Sequence, residues 1–149
     1  MENKLIAKSY VTINAPVTKV WETITNSVTL QKIMLGMQPI SDWKEGSELR
    51  WIGRHDEKKD DNARGIILAI IKNKKLKFTF YYPGYGYPDE AKYYNSVIFN
   101  LTAKGDTTLV EVEQGDFSVF KEGETFMGHS QTFWDGSVRI LKELSETKN

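Results

Sequence analysis

The 149-residue chain is predicted to adopt an α+β fold, a curved antiparallel sheet wrapped around one long C-terminal helix. Over residues 122–146, apolar and small residues recur at the i, i+4, i+7 and i+8 spacing of a helix with one buried stripe. From residue 48 to residue 114 the period changes to two, and short turns separate the segments. Strands grouped together and followed by a helix are typical of the α+β class.

The first part of the chain predicts one strand and two short helices. Residues 5–13 alternate and predict a strand, with Tyr10 at its half-buried boundary. Pro16 suits the first turn of a helix, and apolar residues then recur at i, i+3, i+4 and i+7 from Val17. A second helix is expected over residues 27–35. Two short helices after one strand indicate a compact bend of the chain.

Five more strands complete the predicted sheet of about six strands, in the order β-α-α-β-β-β-β-β-α. They are expected at residues 48–54, 63–72, 76–82, 93–102 and 108–114. The nearly all-charged residues 55–62 predict an exposed connection. The whole chain, residues 1–149, has the length of a single domain, and nothing in it resembles a repeat or a linker.

Composition excludes several classes of function. The formal net charge is +0, so the basic footprint of a nucleic-acid-binding protein is missing. With 0 cysteines the chain has no disulfide framework, thiolate zinc site or cysteine nucleophile. The N-terminus lacks the apolar core of a signal peptide, and no run is long enough to insert into a membrane. We therefore expect a cytoplasmic protein.

The inward faces of the predicted strands and helix converge on one volume. The expected lining is Trp51, Phe78, Phe80, Tyr82, Asn95, Val97, Phe99, Val110, Val112 and Gln114, closed by Phe126, Ser130 and Trp134. These residues either fill a core or surround a ligand cavity, since aromatic side chains dominate both. An unpaired buried amide costs about 1–3 kcal/mol, so the two amides need partners, from a ligand, water or the protein itself.

Residues 83–88, Pro-Gly-Tyr-Gly-Tyr-Pro, form the most unusual stretch of the chain. Glycine and proline exclude regular structure there, while the amphipathic side chain of tyrosine packs against apolar ligands and also tolerates contact with water. Tyr85 and Tyr87 are therefore predicted to form a lid over the cavity. The alternative is a hairpin tip with incidental aromatic residues.

No catalytic, metal or cofactor site is predicted. His55 lies in the charged connection and His129 is expected to project away from Trp134 on the helix, so both are expected to be exposed. Neither has a carboxylate at ligand spacing, and no serine has an evident activating base. The sequence Gly84-Tyr85-Gly86 lacks the lysine and the following helix of a phosphate-binding loop.

Four motifs in order resemble the helix-grip superfamily known as SRPBCC or START-like, and most closely the family of activators of heat-shock-protein-90 ATPase. The motifs are Ile13-Asn14-Ala15-Pro16 followed by Val20-Trp21, Asp42-Trp43-Lys44-Glu45-Gly46 followed by Trp51, Gly65-Ile66-Ile67-Leu68 followed by Leu76-x-Phe78-x-Phe80, and Trp134-x-x-x-Val138-x-x-Leu141. They cover nearly the whole chain. Phe133 departs from the pattern, because the family has glycine before the tryptophan.

The resemblance implies a deep, mostly apolar cavity between the sheet and the long helix, used for a small hydrophobic or amphipathic molecule such as a lipid. The same fold also hosts a chaperone-interacting co-regulator and polyketide cyclase or hydratase-like enzymes, so the fold alone does not decide the function. Ligand binding ranks first. A chaperone or a second copy of the chain is the alternative partner. An enzyme ranks last, because only tyrosines and amides are expected inside the cavity.

Overall fold

The computed structural model describes residues 4–53 and 61–147 and has the predicted α+β architecture. All strand pairs in its sheet are antiparallel, in the order β1-β7-β6-β5-β4-β3-β2. The elements are β1 (Ala7–Ile13), α1 (Val17–Thr25), α2 (Ser27–Ile33), β2 (Gln38–Ser41), β3 (Glu48–Ile52), β4 (Asp61–Ile71), β5 (Lys75–Phe80), β6 (Asn95–Lys104), β7 (Thr107–Gly115) and α3 (Gly123–Glu146).

The sheet has seven strands where about six were predicted, because the sequence pattern does not predict β2. This strand is only four residues long and contains Pro39, so it shows neither alternation nor strong strand propensity. A proline is tolerated in β2 because the strand lies at the edge of the sheet and pairs on one side only. Pro39 faces Trp51 of β3 across that pair.

Two predictions about individual side chains were wrong. Tyr10 is 76% exposed, since Ala7, Ser9 and Ile13 point to the buried side of β1. Alternation through the predicted strand at residues 76–82 places Tyr81 on the face opposite Phe80 and Tyr82, yet Tyr81 is buried, because regular β5 ends at Phe80. Its backbone then exchanges two hydrogen bonds with that of Arg64, and its ring stacks on Tyr94 at a centroid distance of 5.1 Å.

Helix α3 confirms the long helix predicted at residues 122–146. Its buried stripe comprises Ser130, Trp134, Ser137, Val138 and Leu141, at the spacing that the sequence showed. The helix lies against β1, α1 and α2, and reaches β7 as well. Burial of the apolar members of this stripe stabilises the packing of α3 on the rest of the fold.

Most buried apolar side chains of residues 4–53 and 61–147 fall into two groups. The main core contains Trp51, Phe78, Val97, Phe99 and Val112 of the sheet, together with Trp134, Val138 and Leu141 of α3 and the apolar faces of α1 and α2. The second group, which we call the aromatic cluster, comprises Phe117, Phe120, Phe126, Tyr85, Tyr87 and Tyr93 with Leu5, Ala7 and Met127. The aromatic cluster lies at the N-terminal end of α3 and carries the loop that follows β5.

Candidate functional site: a cavity between the sheet and the long helix

A cavity of about 420 Å³ lies between the sheet and the first half of α3. It is lined by Met34, Leu35 and Met37 after α2, Asn62, Phe80, Tyr82 and Tyr85 from the sheet side, Gln114 of β7, and His129, Ser130, Phe133 and Trp134 of α3. The lining is predominantly apolar, with a few polar side chains at defined points. Cavities of roughly 300–1,000 Å³ with this character are typical of small-molecule sites.

The structure brings only part of the predicted lining to this cavity. Of the residues expected there, those that line it are Phe80, Tyr82, Tyr85, Gln114, Ser130 and Trp134. Those that lie in the main core instead are Trp51, Phe78, Val97, Phe99, Val110 and Val112. The two sets meet at Trp134, whose ring stands edge-on to Phe99 at a centroid distance of 5.5 Å. The packed core therefore supports one wall of the cavity.

Gln114 is the centre of a buried polar network at the cavity wall. Its Oε1 accepts hydrogen bonds from Ser130 Oγ at 2.8 Å and from Trp134 Nε1 at 2.9 Å. Its Nε2 donates to Asn95 Oδ1 at 3.2 Å. The amides of Gln114 and Asn95 are thus hydrogen-bonded within the protein, which is one of the three alternatives stated for them from the sequence. Asn95 supports the network from β6 and does not line the cavity.

The aromatic cluster fixes the loop that was predicted as a lid. Tyr85 stacks on Phe126 at a centroid distance of 4.0 Å and an interplanar angle of 11°, and it meets Tyr82 and Phe120 edge-on. Burial raises the pKa of Tyr85 to about 12, because the phenolate would lose hydration there. Phe126 was expected in the cavity lining; it lies behind Tyr85 in the cluster instead.

Tyr87 anchors the same loop without reaching the cavity. Its hydroxyl donates to Glu122 Oε2 at 2.8 Å and accepts from the backbone N–H of Lys121 at 3.1 Å. The hydrogen bond to Glu122 raises the pKa of Tyr87 above its ordinary value. Tyr81 Oη donates to the Tyr87 carbonyl at 2.6 Å. In this structure Tyr85 is therefore part of the wall, and Tyr87 ties the loop to the start of α3.

Sequence reasoning missed the residues that the end of α2 and the turn after it contribute to the cavity. Met34, Leu35 and Met37 follow α2 in a tight turn with positive φ at Leu35 (54°) and Gly36 (101°). Leu35 is 65% exposed although it is apolar. The positive φ of Leu35 costs about 1–2 kcal/mol. The sequence Met-Leu-Gly-Met at residues 34–37 is mostly apolar, which was the available signal for these residues. It has no helical or strand periodicity that would place it beside the sheet.

His129 is exposed, as expected, yet it contributes to the cavity lining, contrary to its predicted direction away from Trp134. It precedes Phe133 by one helical turn, and that i, i+4 relation to an apolar residue was the overlooked signal. Within the described ranges it makes no hydrogen bond or ion pair, and no Asp, Glu, Lys or Arg shares the lining. His55 lies outside the described residues.

Nothing in residues 4–53 and 61–147 groups three or more His, Asp or Glu side chains as a metal site would. Over the same ranges no helix has the length and apolarity needed to cross a membrane. The cavity accordingly offers an apolar surface, aromatic rings and a small number of hydrogen-bonding groups.

The sequence matches the family described as "Activator of Hsp90 ATPase homolog 1-like protein" over residues 14–146. The chain belongs to this family. A solution structure of a protein from Cytophaga hutchinsonii is 34% identical, with a TM-score of 0.78, and the match covers 98% of this chain and 97% of that one. No curated protein matches by sequence.

Two further solved structures share the fold at lower identity. The Aha1 dimer from Colwellia psychrerythraea is 18% identical with a TM-score of 0.71, over 97% of this chain and 98% of that chain. An Hsp90 activator from Plasmodium falciparum is 15% identical with a TM-score of 0.59, over 74% of this chain and 72% of that chain. Family and fold agree with the helix-grip architecture that the sequence motifs indicated.

Proposed function

We propose that this protein binds a small hydrophobic or amphipathic molecule in the cavity between the sheet and α3. The observation that carries the proposal is the cavity of about 420 Å³ itself, placed where aromatic side chains from both layers meet. Its wall combines apolar and aromatic side chains with a few fixed hydrogen-bonding groups, which is the character of a small-molecule site.

The lining suits an apolar occupant of variable shape. Met34 and Met37 carry flexible thioether side chains that adapt to irregular surfaces, while Phe80, Phe133 and Trp134 offer aromatic faces. Burying apolar ligand area there contributes roughly 25 cal/mol per Å² before the cost of association is subtracted. Affinity in the micromolar range, about −8 kcal/mol, is the expected result for such a site.

Titration with a neutral apolar dye whose fluorescence rises on burial, such as Nile red, tests the proposal. We expect one saturable site with micromolar affinity from which a neutral apolar competitor, 2-ethylnaphthalene, displaces the dye. Met37→Trp, which puts a bulky ring at the half-buried mouth, should weaken dye binding at least tenfold. Met127→Trp is the matched control, because Met127 belongs to the aromatic cluster and does not line the cavity.

Loss of binding in both variants, or in neither, would contradict the assignment of the dye to this cavity. Circular dichroism of each variant checks that the fold is retained. A folded wild-type protein that saturates with none of several chemically distinct apolar probes would contradict the proposed function.

A second candidate function is the regulation of a chaperone, which the family description favours. One solved relative is described as an Hsp90 activator and another as a dimer, so a chaperone or a second copy of this chain is the corresponding partner. Pull-down with purified Hsp90 and sedimentation of the isolated protein test the two partners directly. Retention of Hsp90 by both wild type and Met37→Trp would support a surface that is separate from the cavity.

A further inference from the structure

The hydrogen-bond network around Gln114 defines what this side chain can offer to an occupant of the cavity. An indole N–H can only donate, so the Gln114 atom that lies 2.9 Å from Trp134 Nε1 must be the amide oxygen. Ser130 Oγ lies 2.8 Å from the same oxygen and therefore commits its hydroxyl hydrogen to it. With two donors on Oε1, the acceptor capacity of this amide is filled.

The amide nitrogen of Gln114 has one hydrogen left over. Its Nε2 carries two hydrogens and one of them is donated to Asn95 Oδ1. In the described part of the chain no other acceptor receives a hydrogen bond from this nitrogen. Because Gln114 is itself part of the cavity lining, the group that it can offer to an occupant is a hydrogen-bond donor.

Burial along the lining gives the cavity a direction. Gln114, Ser130 and Trp134 are all buried, so the polar network lies at the deep end. Leu35 and His129 are exposed and lie at the mouth, next to half-buried Met37. An amphipathic molecule in this cavity would place its polar end in the deep part, at the polar network, and its apolar end towards Met37 and Leu35.

The charge of the polar end follows from the same residues. No lysine or arginine lies in the described lining, and the deep donor is a neutral amide. Burying a carboxylate there would leave its charge without a partner, which costs several kcal/mol per ion. A neutral carbonyl oxygen needs only one donor to compensate for lost hydration.

We propose that the ligand is an apolar molecule bearing a neutral carbonyl acceptor, such as a ketone, ester or amide. It enters with the carbonyl first and accepts the free Nε2–H of Gln114. Its apolar part lies against Met34, Met37 and Phe80. This proposal rests on the proposed function and specifies the chemistry and orientation of the ligand at that site.

Two probes of nearly the same shape test the proposal in the wild-type protein. 2-Acetylnaphthalene carries a carbonyl, and 2-ethylnaphthalene has no polar atom. We expect 2-acetylnaphthalene to bind about fivefold more tightly, the effect of one net hydrogen bond. In ¹⁵N-resolved NMR spectra the side-chain amide of Gln114 should shift with 2-acetylnaphthalene and move much less with 2-ethylnaphthalene.

The variant Gln114→Met removes the donor while keeping similar length and a weak sulfur acceptor for Trp134. It should bind both probes with equal affinity, whereas Gln131→Met should preserve the fivefold difference. Gln131 carries the same amide on α3 but bonds to the backbone of β1 at Lys8, outside the cavity. If Gln114→Met does not fold, the affinities of the two probes and the shift of the Gln114 amide in the wild-type protein still test the proposal.

Equal affinity of the two probes for the wild type, with no distinct shift of the Gln114 amide, would overturn the carbonyl proposal and leave cavity binding intact. Binding of neither probe would overturn both the proposed function and this inference. A shift of the Gln114 amide without any difference in affinity would also contradict the proposal, since the donor would then contribute nothing to recognition.

Discussion

The interface between the sheet and α3 is solid at one end and hollow at the other. In the solid half, Phe99, Phe78 and Trp51 lie in the main core with almost no exposed surface, and Phe78 meets Trp51 at a centroid distance of 5.8 Å. In the hollow half, Phe80 of β5 and Gln114 of β7 face the cavity. Phe78 and Phe80 of the same strand thus have different roles, one in the packed core and the other in the cavity wall.

The polar groups of the two halves show what the difference means. Ser137 in the solid half donates to the backbone carbonyl of Ile33 at 2.9 Å and so fastens α3 to the end of α2. Ser130 in the hollow half donates to Gln114 instead and helps to hold a side chain at the cavity wall. The Ser137 hydrogen bond joins α3 to the end of α2, whereas the Ser130 hydrogen bond holds the Gln114 amide at the cavity wall.

The largest expected effect compares one substitution in the two halves. Phe99→Ala should lower the free energy of unfolding by about 3–5 kcal/mol, because it leaves a void among packed neighbours. Phe80→Ala removes a half-buried ring that already borders an open cavity, so roughly 1–2 kcal/mol is expected. Denaturant unfolding measures both losses, and equal values would remove the distinction between solid and hollow.

Binding should show the opposite order for the same two variants. Phe80→Ala should weaken the affinity for an apolar dye severalfold, because the lost ring lines the cavity. Phe99→Ala should change that affinity less, at temperatures where the variant remains folded. Dye titration beside the unfolding curves checks this reversal.

A smaller effect is expected for the two serines. Ser137→Ala leaves the carbonyl of Ile33 without its side-chain donor in a buried place, which costs about 1–2 kcal/mol. Ser130→Ala should cost about 0.5–1 kcal/mol, because Gln114 Oε1 keeps the hydrogen bond from Trp134. A larger loss for Ser130→Ala than for Ser137→Ala would contradict the assignment of these serines to their partners.

The smallest effect at neutral pH concerns Tyr85. Its pKa in the folded protein is raised to about 12 from an ordinary 10.0, so the protonated phenol favours the folded state below pH 10. That contribution should be lost as the pH rises from about 10 to 12, because the unfolded chain releases the proton first. Tyr85→Phe cannot ionise and should lose less stability than the wild type over this interval.

Thermal unfolding of both proteins at several pH values between 9 and 12 provides the measurement. Tyr93→Phe serves as the control, since Tyr93 is another half-buried member of the aromatic cluster that does not line the cavity. Parallel pH profiles for the wild type and Tyr85→Phe would mean that the Tyr85 ring is not held in the wall.

Local periodicity was enough to predict most of the fold. The stripe on α3 and the alternation in β5, β6 and β7 are set by neighbouring residues, so the helix and the inward faces of these strands follow from the sequence. β2 could not be found in this way, because four residues around Pro39 carry no period of their own. Its place in the sheet comes from pairing with β3.

The hollow half was harder to predict, because it depends on distant segments that meet only in the folded chain. Met34 and Met37 come from the turn after α2, Asn62 from β4, and Tyr85 from a loop held by Phe126 of α3. Ser130 and Ser137 also look alike in the sequence, each one small polar residue on the helical stripe. Only the tertiary structure separates a cavity wall from a packed core.

Methionine methyl resonances give the most direct test of the hollow half. The chain has 4 methionines, of which Met34 and Met37 line the cavity and Met127 lies in the aromatic cluster. During titration of the ¹³C-methyl-labelled protein with 2-acetylnaphthalene, the Met34 and Met37 resonances should shift together and saturate at one equivalent. Met127 should remain in place. Saturable shifts confined to Met127, or no shift of any methyl group at probe concentrations well above micromolar, would contradict a binding cavity beneath α3.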